Sequence, residues 1–400
     1  MRRARLLSTA IVAATIIGPT ATAADAKPPQ PIRFATFNAS LNRNAAGLLH
    51  TQLTSATSGG PVDPQLATIL QIVEINDPDV LLINEFDTGD DGDMQGVTAM
   101  FAALAGYEYY FSAPSNTGVP SGFDLNNNGV IGGPDDAYGF GAFPGQFGLA
   151  VFSKYPIDID AVRTFQTFLW KDMPDALLPV NPDGSSWYSP EELDVLRLSS
   201  KSHWDVPIEV GHGKVVHFLV SHPTPPVFDG AEDRNGRRNF DEIRFWADYV
   251  RPNASRYIYD DAGVSGGLHP GASFVIAGDQ NSDPLDGDSV PGAIQQLLDN
   301  PRINTKFTPN SAGAAEAAVL QGGANSAHLS DPQFDTADFA DSTPGNLRAD
   351  YVLPSKNLRI VDGAVFWPAQ GEPGSELTGT FPFPSSDHRL VRIDVLVPGA

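Results

Sequence analysis

Short apolar runs that end on a polar residue recur along the chain. Ile32 to Asn38 (IRFATFN) and Val80 to Glu85 (VLLINE) have this form. So do Val215 to Val220, which leads into Ser221 and His222, and Phe274 to Ala277, which leads into Gly278-Asp279-Gln280-Asn281. Runs of this length, rich in β-branched and aromatic residues, predict buried strands. Glu108 to Ser112, Leu149 to Ser153, Ala349 to Leu353 and Leu390 to Val397 read as further strands. Between them the apolar spacing becomes helical. Pro64 opens a helix carrying Leu66, Ile69, Leu70 and Val73, stopped by Asn76-Asp77-Pro78. Other helices are predicted around Gln95 to Leu104, over Arg237 to Val250 with Phe240, Ile243, Trp246 and Val250 on one face, and over Pro291 to Leu298. Phe34, Phe37, Phe218 and Trp246 read as core.

The remaining stretches read as irregular. Residues 39–60 form a Ser/Asn/Thr/Gly-rich loop, and insertions are expected near 114–148, 172–200 and 310–345. No Pro/Ser linker separates two apolar halves. The pattern predicts one α/β domain over 32–400 behind a Pro-rich connector at 24–31.

Composition narrows the function. The 400 residues include no cysteine, which excludes disulfides, thiolate metal sites and thiol nucleophiles. Lys and Arg number 25 against 48 Asp and Glu, a formal charge of −23. Modules that grip nucleic acid by charge are basic, so no stable nucleic-acid complex is expected. An enzyme that meets phosphate through cations is still allowed, because bound ions invert the local field. Arg2, Arg3 and Arg5 precede the apolar run Leu6 to Ile17, and Ala21-Thr22-Ala23 offers a cleavage site. Residues 1–23 therefore read as a secretory signal peptide. No later stretch is long and apolar enough to span a membrane. A secreted or periplasmic monomer is the expectation.

The strand ends carry the chemistry. Asn38, Glu85, His222, Asp279 with Asn281, and Asp387 with His388 all follow apolar runs or precede one, and Asp350 opens another strand. Carboxylates and a carboxamide are hard oxygen ligands for Mg²⁺, Mn²⁺ or Ca²⁺. Histidines with a carboxylate to orient them suit proton transfer or contact with phosphate oxygens. Metal, histidine and a polarised water are what phosphoester hydrolysis requires. His203, His212, His217 and His328 read as structural, and Arg234, Arg237 and Arg238 as a solvated helix start.

Taken in order, these motifs resemble the endonuclease/exonuclease/phosphatase superfamily of DNase I-like metal-dependent phosphoester hydrolases. TFN holds Asn38, NE holds Glu85, and G-x-A-x-x-S-x-x-P runs from Gly148 to Pro156. A strand-final His222 is followed by prolines, G-D-x-N holds Asp279 and Asn281, A-D-Y-V-L holds Asp350, and S-D-H holds Asp387 and His388. The resemblance implies a four-layer α/β/β/α sandwich of two mixed sheets flanked by helices. It implies Glu85 as main metal ligand with Asn38 and Asp387 close by. It implies that Asp279 orients or activates water, Asn281 binds phosphate, and His388 contacts the scissile phosphate with its tautomer fixed by Asp350. His222 would assist as acid or phosphate ligand. Asn84 departs from the Gln usual before the metal-binding Glu, and the long loops match no subfamily.

A further motif, Asp124-Leu125-Asn126-Asn127-Asn128-Gly129 with Asp135 at the twelfth place, fits a calcium loop through Asp124, Asn126, Asn128 and Asp135. An Asn/Gly-rich turn is the competing reading. The function expected is a divalent-metal-dependent phosphodiester hydrolase acting on nucleic acid, a phospholipid head group or a small ester. Alternatives are a phosphomonoesterase or sphingomyelinase-type hydrolase of the same fold, or, in another class, a non-catalytic calcium-stabilised binding protein.

Overall fold

The computed structural model describes residues 30–88 and 94–399. The expected signal peptide, and the connector up to residue 29, lie outside the described residues. Among the described residues no helix is long and apolar enough to cross a membrane.

Two mixed sheets form the centre. The first contains β1 (Ile32–Leu41), β2 (Val80–Phe86), β3 (Tyr109–Phe111), β4 (Leu149–Ser153), β12 (Arg359–Val365) and β13 (Val391–Leu396), in the order β12-β13-β1-β2-β4-β3. The second contains β5 (Arg163–Thr164), β6 (His203–Gly211), β7 (Lys214–Ser221), β8 (Ser273–Asp279) and β11 (Asp350–Pro354), in the order β11-β8-β7-β6-β5. In each sheet one central pair is parallel, β1 with β2 and β7 with β8, and the other pairs are antiparallel. Helices α1 (Leu48–Thr57), α2 (Pro64–Asn76) and α3 (Met94–Ala105) cover the first sheet, and α5 (Arg234–Tyr249) covers the second. The result is the expected α/β/β/α sandwich.

The two-residue period of a strand explains where the site lies. In β1, Ile32 and Phe34 enter the core between the sheets, while Ala35, Phe37 and Ala39 pack under the helices. Phe34 meets Phe218 across the sheets at 5.6 Å between ring centroids. The inward series of the four central strands turn polar in the same direction. They read Ile32, Phe34, Thr36, Asn38 in β1; Val80, Leu82, Asn84 in β2; Val216, Phe218, Val220, then His222 after β7; and Val275, Ala277, Asp279 in β8. Parallel neighbours put these polar ends on one edge, so a dry core opens at that edge into a polar site.

Several expectations need correction. Residues 39–60 are not all loop. Leu49 and Leu53, four residues apart, bury one face of α1 against the first sheet, a tertiary contact that the polar composition hides. Strand β6 was not expected, because His203, Asp205 and Pro207 interrupt its apolar run. It is nonetheless buried along most of its length and pairs with β7 from His203 to Gly211. Strand β12 was also not expected; its exposed face carries Arg359, Val361 and Asp362. The insertions hold structure of their own. Within 172–200 there is α4 (Pro190–Leu193), and within 310–345 there are α7 (Ala312–Gln321) and the strand β9 (Ala337–Asp338), which pairs with β10 (Asn346–Leu347) just beyond it. Of the residues expected to form a solvated helix start, Arg238 is instead anchored, donating to the carbonyls of Leu198, Tyr138 and Arg197.

Candidate active site

Asp279 is the centre of the site. It ends β8, is 1% exposed, and its Oδ2 is approached from three other strand ends. Asn38 Nδ2 donates to it at 3.1 Å from β1, His222 Nε2 lies 3.3 Å away after β7, and His388 Nε2 lies 3.6 Å away before β13. Its Oδ1 accepts the backbone N–H of Asn281 at 2.8 Å. Burial alone would raise the Asp279 pKa, but His388, His222 and Asn38 outweigh it and hold the carboxyl well below the usual carboxylate range.

His388 is held from its other side. Its Nδ1 lies 2.8 Å from Asp350 Oδ2, which also accepts the Thr336 hydroxyl at 2.8 Å. Thr336 Oγ1 in turn accepts the backbone N–H groups of Ala349 and Asp350. Burial would lower the His388 pKa, but Asp350 and Asp279 outweigh it and raise it well above 6.5. The imidazolium is thus the favoured form, held between two carboxylates. Burial raises the Asp350 pKa, and its Oδ1 has no partner. Arg389 braces the same turn: it stacks on Trp367 at 4.2 Å and donates to the carbonyls of Ser386 and His388.

Glu85 shows how the sequence bends to build the site. By alternation it would face the helices, as Leu81 and Ile83 do. Its φ of 57° breaks that alternation, and its Oε1 accepts from Asn38 Nδ2 at 3.1 Å. Ser40 and Asn281 also adopt positive φ, 46° and 51°. Non-glycine residues in this region cost roughly 1–3 kcal/mol each and persist where the surroundings over-determine them. Gly278 has a φ of 145°, and a Cβ there would lie 2.0 Å from the Ser221 carbonyl oxygen, so only glycine lets β8 pass β7 at this height.

Asn84, the departure from the usual Gln, ties the two sheets together. Its Oδ1 accepts Thr36 Oγ1 at 3.1 Å and the Asp279 N–H at 3.4 Å, and its Nδ2 donates to the Ser221 carbonyl at 3.3 Å. Asp387 is half-buried, and its Oδ1 accepts the hydroxyls of Ser40 at 3.4 Å and Ser386 at 3.3 Å. Asn281 donates its Nδ2 to the Pro223 carbonyl at 3.1 Å, one residue from His222. The structure therefore brings Asn38, Glu85, His222, Asp279, Asn281, Asp350, Asp387 and His388 to one edge. It also adds Thr336, Ser40 and Lys201, which no motif flagged. Lys201 is buried and lines the cleft beside Glu85 and His222.

Asp279, Asp350 and His388 offer ligand atoms within 4.8 Å of one another, and this cluster could hold a metal ion. Hard oxygens of Glu85, Asn38 and Asp387 flank it, a donor set that fits Mg²⁺ or Mn²⁺.

The Asp124–Asp135 loop folds on itself. Asp124 accepts the N–H groups of Asn128 and Gly129 at 3.0 and 2.7 Å, and Asn128 accepts that of Val130 at 2.8 Å. The carboxylate that ties its two ends is Asp136, accepting from Leu125 and Gly132 at 2.9 and 2.7 Å, while Asp135 lines the cleft with Glu85. His203 is structural as expected. It contacts Ser199 and the Glu242 carbonyl, and burial lowers its pKa to about 4.

The sequence model of the Endonuclease/Exonuclease/phosphatase family matches residues 35–388. No curated protein sequence matches. Among solved structures, the chain is similar to an endonuclease/exonuclease/phosphatase from Beutenbergia cavernae DSM 12333, at 18% identity and TM-score 0.50 over 93% of this chain and 72% of that one. It is also similar to a mutant beta toxin from Staphylococcus aureus with bound magnesium ions, at 13% identity and TM-score 0.42 over 91% of this chain and 99% of that one. A third is sphingomyelinase C from Streptomyces griseocarneus, at 13% identity and TM-score 0.44 over 91% of this chain and 99% of that one.

Proposed function

The chain belongs to the endonuclease/exonuclease/phosphatase family of phosphoester hydrolases, and from that premise we propose that it is an exported, divalent-metal-dependent phosphodiesterase. The observation that carries the proposal is the convergence of Asn38, His222 and His388 on one buried oxygen of Asp279. An ionised carboxylate at that place orients a water for attack on phosphorus. Its depressed pKa makes it a better orienter than proton acceptor. As the water oxygen bonds to phosphorus, the bond to the ester oxygen breaks. His388, kept as imidazolium by Asp350, donates a hydrogen bond to a phosphate oxygen and balances the charge that gathers there. His222, with Nε2 3.3 Å from Asp279 Oδ2, is placed to relay the proton that the attacking water releases to the departing oxygen, so that the step balances. Asn281, pinned by Asp279 and Pro223, lies where its carboxamide can contact the phosphate.

Glu85, with Asn38 and Asp387, would hold the cation, which supplies neutralisation of the phosphate oxygens. The closer cluster of Asp279, Asp350 and His388 suits a metal less well. The His388 N–H groups already lie between those two carboxylates, so a cation there would displace a proton that both acids stabilise. The n-region, apolar run and small-residue end of residues 1–23 support the export part of the proposal.

The test is turnover of the purified protein with Mg²⁺, Mn²⁺ or Ca²⁺ on DNA, RNA, sphingomyelin, bis(p-nitrophenyl) phosphate and p-nitrophenyl phosphate. Metal-dependent cleavage of diesters ahead of the monoester is expected. Monoester cleavage alone would replace the diesterase reading with a phosphatase, and no turnover on any substrate would remove it.

A further inference from the structure

A cleft of about 510 Å³ is lined by Glu85 and His222 of the catalytic edge. Its apolar lining comes largely from inserted segments, with Arg234, Asn235 and Arg238 of α5 beside it. Leu125 and Phe140 come from the first insertion, Leu196 from the second, and Phe228 from the stretch after His222. The exposed wall of the cleft is mostly apolar, unusual for a surface whose formal charge is −23.

The backbone is constrained at two of the aromatic residues in the cleft. Phe147 and Phe228 have φ of 56° and 66°. Bulky residues with positive φ are outliers, stable only where the surroundings impose them. Asp87 fixes the first by accepting the Phe147 N–H at 3.0 Å, and Phe140 lies against that ring at 6.3 Å between centroids. Phe228 is 86% exposed and Phe140 59%, so both rings meet solvent at the cleft. Burying exposed aromatic surface is favourable in proportion to its area, so these walls favour an apolar guest.

Lys201 stands where the apolar wall meets the catalytic edge. It is 7% exposed, and its Nζ makes no hydrogen bond or salt bridge among the described residues. The neighbouring backbone is fixed, since Ser200 donates its N–H to Glu242 at 2.6 Å and the Lys201 carbonyl accepts from Asn116 at 2.8 Å. Burial lowers the Lys201 pKa while the carboxylates of Glu242, Glu85 and Asp279 act to raise it, and an anionic oxygen from a ligand would give its Nζ the hydrogen bond it lacks.

We infer that this cleft is a substrate subsite in which Lys201 meets a phosphate oxygen and the walls carrying Phe140, Phe147 and Phe228 take an apolar substituent, aryl or alkyl, of the phosphoester. The inference rests on the phosphoesterase reading for the phosphate and extends it to the group the phosphate carries.

Three diesters with one leaving group test it: methyl, phenyl and n-hexyl p-nitrophenyl phosphate, each rate divided by its uncatalysed rate. The phenyl or hexyl ester is expected to exceed the methyl ester in kcat/KM by roughly tenfold to a hundredfold. Phenyl above hexyl marks an aromatic guest, and hexyl above phenyl an aliphatic one. Phe140→Ser and Phe228→Ser should each cut that preference at least about threefold, since both side chains are exposed and their loss leaves the core intact. Lys201→Met should lower kcat/KM on all three esters by about a hundredfold, with Lys201→Arg closer to the parent. Equal rates on the three esters, or Lys201→Met within about twofold of the parent, would overturn the inference. Calorimetric binding of phenylphosphonate against methylphosphonate reads the subsite without turnover. Phenyl should bind at least about tenfold more tightly and lose that margin in Phe228→Ser. Equal binding overturns the subsite even if the esters are cleaved, and tighter phenyl binding without ester cleavage overturns only the phosphodiesterase reading.

Discussion

Replacing Asp350 by Asn separates the chemistry of the site from its stability. The change keeps the side-chain volume and leaves one oxygen to accept from Thr336 Oγ1 and His388 Nδ1, both 2.8 Å from Oδ2 in the parent. The new NH₂ takes the place of Oδ1, which is buried and has no partner. A buried donor left unpaired costs about 1–3 kcal/mol, and weakening the charged hydrogen bond to His388 costs a similar amount. Against this, the variant no longer buries a carboxylate, and that burial is what raises the Asp350 pKa against the pull of His388. The net destabilisation should be about 1–3 kcal/mol, a drop in Tm of roughly 1–4 °C for a chain of this size. Turnover should suffer far more, because an imidazolium without its carboxylate partner loses both orientation and charge. A fall in kcat of about 10²–10⁴ is expected. The pH dependence gives a second reading. The folded-state pKa of His388 is raised, so its pairing contributes stability that is fully present below 6.5 and is lost as pH rises through the raised value. The gap in Tm between parent and variant should be largest near pH ~6 and narrow in alkaline buffer. The assay is kcat on bis(p-nitrophenyl) phosphate beside a melting curve on the same samples. A kcat within about threefold of the parent, in a variant that melts normally, would refute the role assigned to the pair.

Gly278→Ala should destabilise the protein by more than about 3 kcal/mol in denaturant titration, since its Cβ would lie 2.0 Å from the Ser221 carbonyl oxygen; a cost under 1 kcal/mol would mean that β7 and β8 can separate freely. Thr336→Val keeps shape but removes the hydroxyl that joins Asp350 to two backbone amides, and should lower kcat about tenfold while leaving KM for the diester nearly unchanged. If the 124–135 loop binds Ca²⁺, saturating ion should stabilise the parent by about 2.7 kcal/mol at a hundredfold excess over Kd, and Asp124→Ala should abolish that gain. Asp136→Ala should instead lower Tm with or without Ca²⁺, because its carboxylate carries two backbone amides; identical melting of Asp124→Ala and parent across a Ca²⁺ series would leave the loop a plain turn.

Much of this was legible in the sequence because the central strands obey a two-residue period. Once Phe34, Phe218 and Val275 are read as facing inward, Asn38, His222 and Asp279 follow on the same faces by counting. Glu85 is different. Its residue type suggested a ligand, but its direction depends on a φ of 57° that no local rule predicts. Lys201 escaped notice because a lysine between serines reads as solvated surface, whereas the fold buries it, with Asn116 bonded to its carbonyl and Glu242 to the Ser200 N–H. Strand β6 was hidden by polar residues whose partners are distant, such as Asp205, which meets His217 and Tyr249. Helix α1 was hidden because two leucines in a polar run form a face only when a sheet lies beneath them. The calcium motif was read to its twelfth residue by spacing, whereas the fold turns Asp136 into the loop and Asp135 toward the cleft.

The most direct measurement is the rate of diester hydrolysis by EDTA-treated protein as Mg²⁺ or Mn²⁺ is returned, run in parallel on the parent and on Glu85→Gln. The Gln variant keeps the shape of a residue whose carboxylate lies 3.1 Å from Asn38 Nδ2, but removes the charge a divalent ion requires. The account predicts no turnover in EDTA, saturable recovery in the parent, and in Glu85→Gln a maximal rate lower by at least about a hundredfold with an unchanged melting curve. Full turnover in EDTA, or a Glu85→Gln protein that recovers with the parent's metal dependence, would contradict it.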